Sequence, residues 1–234
     1  MVNTNRHVNM ETTTAGLTRR ERERLVRRSE ILSAAEAIFA EKSFHKTTLS
    51  EIASRAEFGK GTIYNYFPDG KEEILIAIFD QLYDGLKKII LLSFAPDKAG
   101  SFRDAMTSFF QRSFDFFEER IDLFMILIKE SRHLHQGHHQ QRASSFAERH
   151  NEIIAALAEP LDRAMKRGDL RRVQPHFLAH LIFLHLKGSH LKHCPQPAVS
   201  SSPAANIPAH QLADELTDFI LFGVAGPNMI QDGK

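Results

Sequence analysis

The sequence predicts an all-α protein, and three observations carry that prediction. Apolar residues recur at three- and four-residue spacing along most of the chain, the pattern of helices with one buried face. Nowhere does strict apolar–polar alternation run between turn residues, so no strand signal is present. Capping boxes, glycines and prolines then cut the chain into helix-length segments. With 234 residues there is room for one domain with a sizeable core, or for a small domain joined to a medium one.

Residues 1–17 are polar, lack the apolar h-region of a signal peptide, and read as a tail. Thr18 with Glu21 forms a capping box that opens a helix to about Lys42. Its first turns hold Arg19, Arg20, Arg22, Arg24, Arg27 and Arg28, and its stripe is Ile31, Ala35, Ile38 and Phe39. A second box, Thr48 with Glu51, opens a short helix containing Ile52 and Ala53. The break Glu57-Phe58-Gly59 leads into Lys60-Gly61-Thr62-Ile63-Tyr64-Asn65-Tyr66-Phe67, and Pro68-Asp69-Gly70 is a turn. Asp69 is the expected cap of the next helix, whose stripe is Leu75, Ile78, Leu82, Leu86 and Ile89 and which Pro96 ends.

Beyond it lie a helix from Ser101, a nearly all-apolar one around 121–130, and a long one from about Gln140. The long helix ends at Gly168 behind Lys166 and Arg167, and Pro160 inside it is expected to kink it. Pro175 fits the first turn of a helix reaching about Lys192. A Pro/Ser/Ala loop at 194–208 separates this from a last helix, 209–224, with Leu212, Leu216, Phe219 and Ile220 on one face.

Composition narrows the function. A net charge of +1 means that any nucleic-acid contact comes from a local basic face, not from the chain as a whole. Hydrophobic and charged fractions of 42% and 25% exclude a disordered or collagen-like chain. The single cysteine, Cys194, excludes an intrachain disulfide and reads as a bystander. The apolar runs at 123–128 and 177–186 are too short or too His-interrupted to span a bilayer, so no membrane partner is expected and the cytoplasm is the expected location. No Gly-rich phosphate loop, nucleophile elbow or HExxH occurs, so no catalytic residue or cofactor is expected. Of the 13 histidines, His133, His135, His138 and His139 cluster, and His176 with His180 has i,i+4 spacing. Without an acidic or Cys partner at fixed spacing, no metal site is expected.

The segment 48–67 reads as two short helices joined by a tight turn behind a supporting helix, a helix–turn–helix. Thr48 caps a helix start suited to a phosphate. Gly61 permits close approach to a DNA backbone, Ile63 and Phe67 face inward, and Thr62, Tyr64, Asn65 and Tyr66 carry polar tips able to reach phosphates or base edges. Lys60 and Lys71 bracket the second helix with positive charge.

Ordered along 27–79 are Ile31-x-x-Ala34-Ala35, Phe39, Thr47-Thr48, Ile52-Ala53, Gly61-Thr62-Ile63-Tyr64-x-Tyr66-Phe67 and Lys71-Glu72. In this pattern the chain resembles the N-terminal DNA-binding domain of the TetR family of transcriptional regulators. The remainder is similar to that family in its all-helical pattern and in Gly168-Asp169-Leu170-Arg171. The chain departs from the family in three ways: Ser43 replaces a usual Gly, Glu57 and Gly59 replace a Gly and a capping Ser, and Gly70 is an extra residue ahead of Lys71.

The resemblance implies a tail at 1–17, a DNA-binding domain at 18–70 and a larger effector-binding and dimerisation domain at 71–234. It implies a homodimeric, ligand-responsive repressor that binds a palindromic double-stranded operator. Leu181, Leu184, Leu212, Leu216, Phe219 and Ile220 would then pair with their symmetry mates in a four-helix bundle. The Phe-dense helices read first as core, with Phe102 and Phe116 among them. The resemblance places a pocket there, so Phe109, Phe110, Phe114, Phe117, Phe124, Met125, Phe146 and His150 become candidate contacts for a largely apolar effector. The alternative is a DNA-binding protein without effector, whose C-terminal part only dimerises or recruits a partner.

Overall fold

The computed structural model describes residues 16–95, 100–126, 140–189 and 207–223. The tail up to residue 15, His133, His135, His138, His139, Cys194 and most of the loop at 194–208 lie outside the described residues. Among the described residues every regular element is a helix. The chain divides into two compact units between Ile78 and Phe79.

The first unit is built on α1 (Arg19–Lys42), α2 (Leu49–Arg55), α3 (Lys60–Tyr66) and the start of α4 (Lys71–Ser93). Both expected capping boxes form. Glu21 N–H donates to the Thr18 hydroxyl at 3.3 Å while the Glu21 carboxylate accepts the Thr18 N–H at 2.7 Å. Thr48 and Glu51 repeat this at 3.3 and 2.8 Å. The core stripe of α1 is buried, as are Phe44, Ile52, Ile63, Phe67, Ile74 and Leu75, each at most 3% exposed, and Phe39 packs on Phe44.

Two turns of this unit hold non-glycine residues in the left-handed region. Ser43 ends α1 at φ 74°, ψ 158°, its N–H donating to the Phe39 carbonyl. Glu57 follows α2 at φ 59°. There the Phe58 N–H donates to the Ala53 carbonyl at 2.9 Å and the Glu57 N–H to the Ser54 carbonyl at 3.2 Å, a Schellman closure usually completed by glycine. The structure corrects the expected cap of α4. Gly70 (φ 70°), not Asp69, precedes the helix, and the Asp69 N–H instead donates to the Glu73 carboxylate at 3.0 Å. The inserted glycine absorbs the turn and moves Asp69 one residue too far from the first helical N–H groups.

The second unit contains the rest of α4, α5 (Phe102–Glu118), the helical stretch 121–126 (α6), α7 (Gln140–Arg167), α8 (Pro175–Ser189) and α9 (Ala209–Phe222). A third capping box, Ser101 with Asp104, opens α5. Helix α7 runs on through Pro160 and stops at Gly168 (φ 87°). Helix α7 packs on α8 and α5 on α9. Arg149 ties α7 to Asp80 of α4 at 2.8 Å, and Arg103 ties α5 to Asp218 of α9 at 2.9 Å. At Gly85 of α4 the Phe116 ring lies where a Cβ would stand, so the missing side chain admits the ring. No described helix is long and apolar enough to cross a membrane.

Candidate nucleic-acid interface

In α3 the seven residues divide by face. Ile63 and the following Phe67 are fully buried, four residues apart, and fasten the helix to the core. Lys60, Gly61, Tyr64 and Asn65 are exposed on the opposite side, with Tyr64 46% exposed. Nothing described lies within 4 Å of the position a Gly61 Cβ would take. Thr62 and Tyr66 are half-buried on the flanks, and the Arg24 guanidinium lies 5.8 Å from the Tyr66 ring centroid. The structure thus separates the expected polar tips into two that face outward, Tyr64 and Asn65, and two that lie at the edges. As expected from Gly59, α3 starts without a side-chain cap.

Helix α2 presents Thr48 at its start, but the Thr48 hydroxyl also donates to the Glu51 carboxylate at 2.9 Å. Lys42 pairs with Glu51 from α1. The Lys42 ammonium first, then the Thr48 N–H and hydroxyl, hold the Glu51 carboxyl down at about 2, so it is ionised at neutral pH. A carboxylate therefore already neutralises part of the positive field at this helix start.

Lys71 is half-buried, and its ammonium donates at 3.0 Å to each of the Phe44 and Thr47 carbonyls. It also lies 4.4 Å from the Phe44 ring centroid. Two of its three donors hold the α1–α2 turn. Lys46, exposed ahead of Thr48, adds a cation to the same turn. Its place two residues before a helix cap was the signal available for it in the sequence.

In the second unit the candidate effector residues fall into separate groups. Phe109, Phe110, Phe114, Phe117 and Phe124 are each at most 3% exposed. Their rings join in two sets, Phe109–Phe110–Phe114 at 5.5 and 6.0 Å and Phe117–Phe124 at 4.7 Å. Met125 is half-buried on α6. Phe146 packs on Phe79 at 4.8 Å, while His150 lies 5.1 Å from Phe183 and 5.4 Å from the exposed His180. Burial, then the charges of Lys187 and His180, push the His150 imidazole down to about 4, so it is neutral at pH 7. A cleft of about 680 Å³ is lined by Ser93, Phe94, Phe102, Pro160, Arg163 and Arg167 among others, with the Phe94 ring 5.5 Å from that of Phe109. None of the eight candidates lines it. Among the described residues no group of three or more His, Cys, Asp or Glu side chains could hold a metal.

The candidate dimer residues sit on α8 and α9. Leu181, Leu184 and Phe219 are 37%, 60% and 46% exposed, and Leu212, Leu216 and Ile220 are half-buried. Phe177 (59%) and Phe222 (67%) extend these apolar faces and were missed from the sequence. Spacing was the signal: Phe177 lies four residues before Leu181, and Phe222 three after Phe219.

Comparison with known proteins agrees with this geometry. Residues 31–78 match the family model described as bacterial regulatory proteins, tetR family. The uncharacterised HTH-type transcriptional regulator YfiR of Bacillus subtilis is 23% identical over 68% of this chain and 76% of its own length. The HTH-type transcriptional repressor KstR2 of Mycolicibacterium smegmatis is 30% identical over 46% of this chain and 51% of its own. Three further curated relatives are matched over only about a quarter of their own length. Among solved structures, the transcriptional regulator FadR of Bacillus subtilis in complex with stearoyl-CoA shares the fold. Its TM-score is 0.69 at 18% identity, with coverage of 84% of this chain and 99% of FadR. Through residues 31–78 of its N-terminal helix–turn–helix unit, this chain is similar to the bacterial regulatory proteins of the tetR family.

Proposed function

We propose that the protein is a cytoplasmic homodimeric repressor that binds a palindromic operator and is released by a largely apolar small molecule. One observation carries the DNA half: the open face of α3, with Lys60, Gly61, Tyr64 and Asn65 exposed over the buried Ile63 and Phe67. In this reading α3 enters the major groove. Tyr64 and Asn65 meet base edges or phosphates, Lys60 and Thr62 meet phosphate, and Gly61 admits the backbone. Tyr66 supports the edge of α3, Thr48 presents the start of α2, and Lys71 sets the turn ahead of it through the Phe44 and Thr47 carbonyls. The apolar faces of α8 and α9 support a two-fold dimer, because Phe177, Leu184 and Phe222 would otherwise stay in water. Two reading heads then match the two half-sites of a palindrome.

The effector half rests on the Phe-rich α5 and α6 and on the stearoyl-CoA in FadR's complex. A neutral His150 supplies a polar tether without the cost of burying a charge. The effector releases DNA only if it binds the non-binding conformation more tightly. In this reading the protein acts by binding.

A second reading, DNA binding without effector, is favoured by one observation. The five phenylalanines pack in two ring sets at 3% exposure or less, and none of them lines the 680 Å³ cleft. Native mass spectrometry of the purified protein separates the two through a co-purifying apolar ligand or its absence. The DNA half is tested by selecting duplexes from random-sequence DNA with the wild type and measuring gel shifts. Lys60→Ala with Tyr64→Ala should greatly weaken binding and lower the salt slope by about one for each phosphate no longer neutralised. Both residues are exposed, so the melting point should not move. Unchanged affinity would remove α3 from the interface.

A further inference from the structure

The first turns of α1 bury nothing that the fold needs. Residues 19–27 are all exposed, including Leu25 at 41% and Val26 at 42%, and Ile31 is the first residue of the helix to enter the core. This stretch nevertheless carries Arg19, Arg20, Arg22, Arg24 and Arg27, and the half-buried Arg28 follows it. Its acids are occupied: Glu21 by the Thr18 cap, and Glu23 by Arg19 at 2.8 Å.

Arg20, Arg24 and Arg28 share one stripe at i, i+4 and i+8, and among the described residues none has a carboxylate partner. Like charges at this spacing repel, and cations in the first turns oppose the helix dipole. The arrangement is unfavourable alone and becomes favourable against anions. Its location supplies the second observation. Arg24 lies 5.8 Å from the ring of Tyr66 in α3, and Arg28 lies 4.9 Å from the ring of Phe67, which ends α3. Arg20 continues the stripe one turn further, so the three span about 12 Å at 1.5 Å per residue, starting beside α3.

We propose that Arg20, Arg24 and Arg28 form a second DNA-contacting surface, which grips phosphates beside the half-site faced by α3. It adds affinity without reading sequence, because phosphates carry no base identity. A duplex presents one charge per roughly 1.7 Å of axis, so arginines a helical turn apart meet phosphates without needing a fixed register. This inference rests on α3 being the recognition helix.

The test compares the full-length wild type with Arg20→Gln/Arg24→Gln and with Arg19→Gln/Arg22→Gln, which alters the opposite face of α1. The probes are a duplex selected by the wild type from random-sequence DNA and a scrambled duplex of the same length. Removing two phosphate-binding cations should lower the slope of log K against log salt by about 1.8 per subunit. The wild type's advantage over the Arg20/Arg24 variant should therefore shrink roughly tenfold per subunit, or about a hundredfold for a dimer on a palindrome, between about 50 and 200 mM salt. The preference for selected over scrambled duplex should stay unchanged, and the Arg19/Arg22 variant should keep the wild-type slope.

An unchanged slope in the Arg20/Arg24 variant, or an equal fall in both variants, overturns the proposal in favour of a solvated or diffuse charge. Loss of binding to phosphatidylserine vesicles with DNA binding intact overturns it in favour of a lipid surface. A wild type that selects no sequence overturns the recognition-helix reading as well. A selected sequence with an unchanged variant slope overturns only this inference.

Discussion

Ser43→Gly should stabilise the protein, and the turn geometry sets the amount. Ser43 holds φ 74° with ψ 158°, a region that is open essentially to glycine alone. Non-glycine residues held there carry about 1–3 kcal/mol of strain. The backbone is pinned on both sides: the Ser43 N–H donates to the Phe39 carbonyl at 2.9 Å, and its carbonyl accepts the Thr47 hydroxyl at 2.8 Å. The turn therefore cannot relax without losing the end of α1 or the buried Thr47. Against the relieved strain stands the greater freedom of glycine in the unfolded chain, about 0.4–1 kcal/mol. The balance is a gain of about 1 kcal/mol, which for a chain of this length raises the melting midpoint by about 2–4 °C. Ser43→Ala keeps the Cβ and hence the strain, so it should gain nothing. Chemical and thermal unfolding of the three full-length proteins measures this. A glycine variant no more stable than wild type, or an alanine variant that gains as much, would refute the strain argument.

Other expected outcomes follow from the second unit. His150 is held at about 4 against 6.5 for its ordinary value, so the unfolded chain binds the proton more readily between those values. Stability should be full above about pH 6.5 and fall as the pH drops toward about 4, and His150→Phe should flatten that fall in a series of melting curves against pH. Leu216→Glu with Phe219→Glu changes residues that are half-buried and exposed, so the helices should persist while sedimentation shows monomers that bind a palindrome weakly. Phe114→Trp should leave the melting point near that of wild type and abolish the shift produced by an apolar ligand. A loss of about 1–3 kcal/mol instead marks overpacking of a closed core and supports the effector-free reading.

The helices and the reading head were legible in the sequence because their determinants are local. A capping box needs only the side chain three residues on, so Thr18 with Glu21 and Thr48 with Glu51 announced α1 and α2, and Gly168 announced the end of α7. The inward stripe of α4 was equally plain, since Leu75, Ile78, Leu82, Leu86 and Ile89 repeat at helical spacing and all are buried.

Where partners lie far along the chain, only the tertiary structure decided. Lys71 reads as a cation beside α3, yet it spends two donors on carbonyls 27 and 24 residues away. On α9 the sequence ranks Leu212, Leu216, Phe219 and Ile220 by hydrophobicity. Packing on α5 instead buries the small Ala213 and the hydrogen-bonded Thr217, and leaves Phe219 and Phe222 outside. Likewise, four polar tips on α3 look equivalent until Ile63 and Phe67 lock its rotation and Arg24 closes over Tyr66. Periodicity says that a helix has faces. Which face is covered depends on the shape and distance of elements brought together only by the fold.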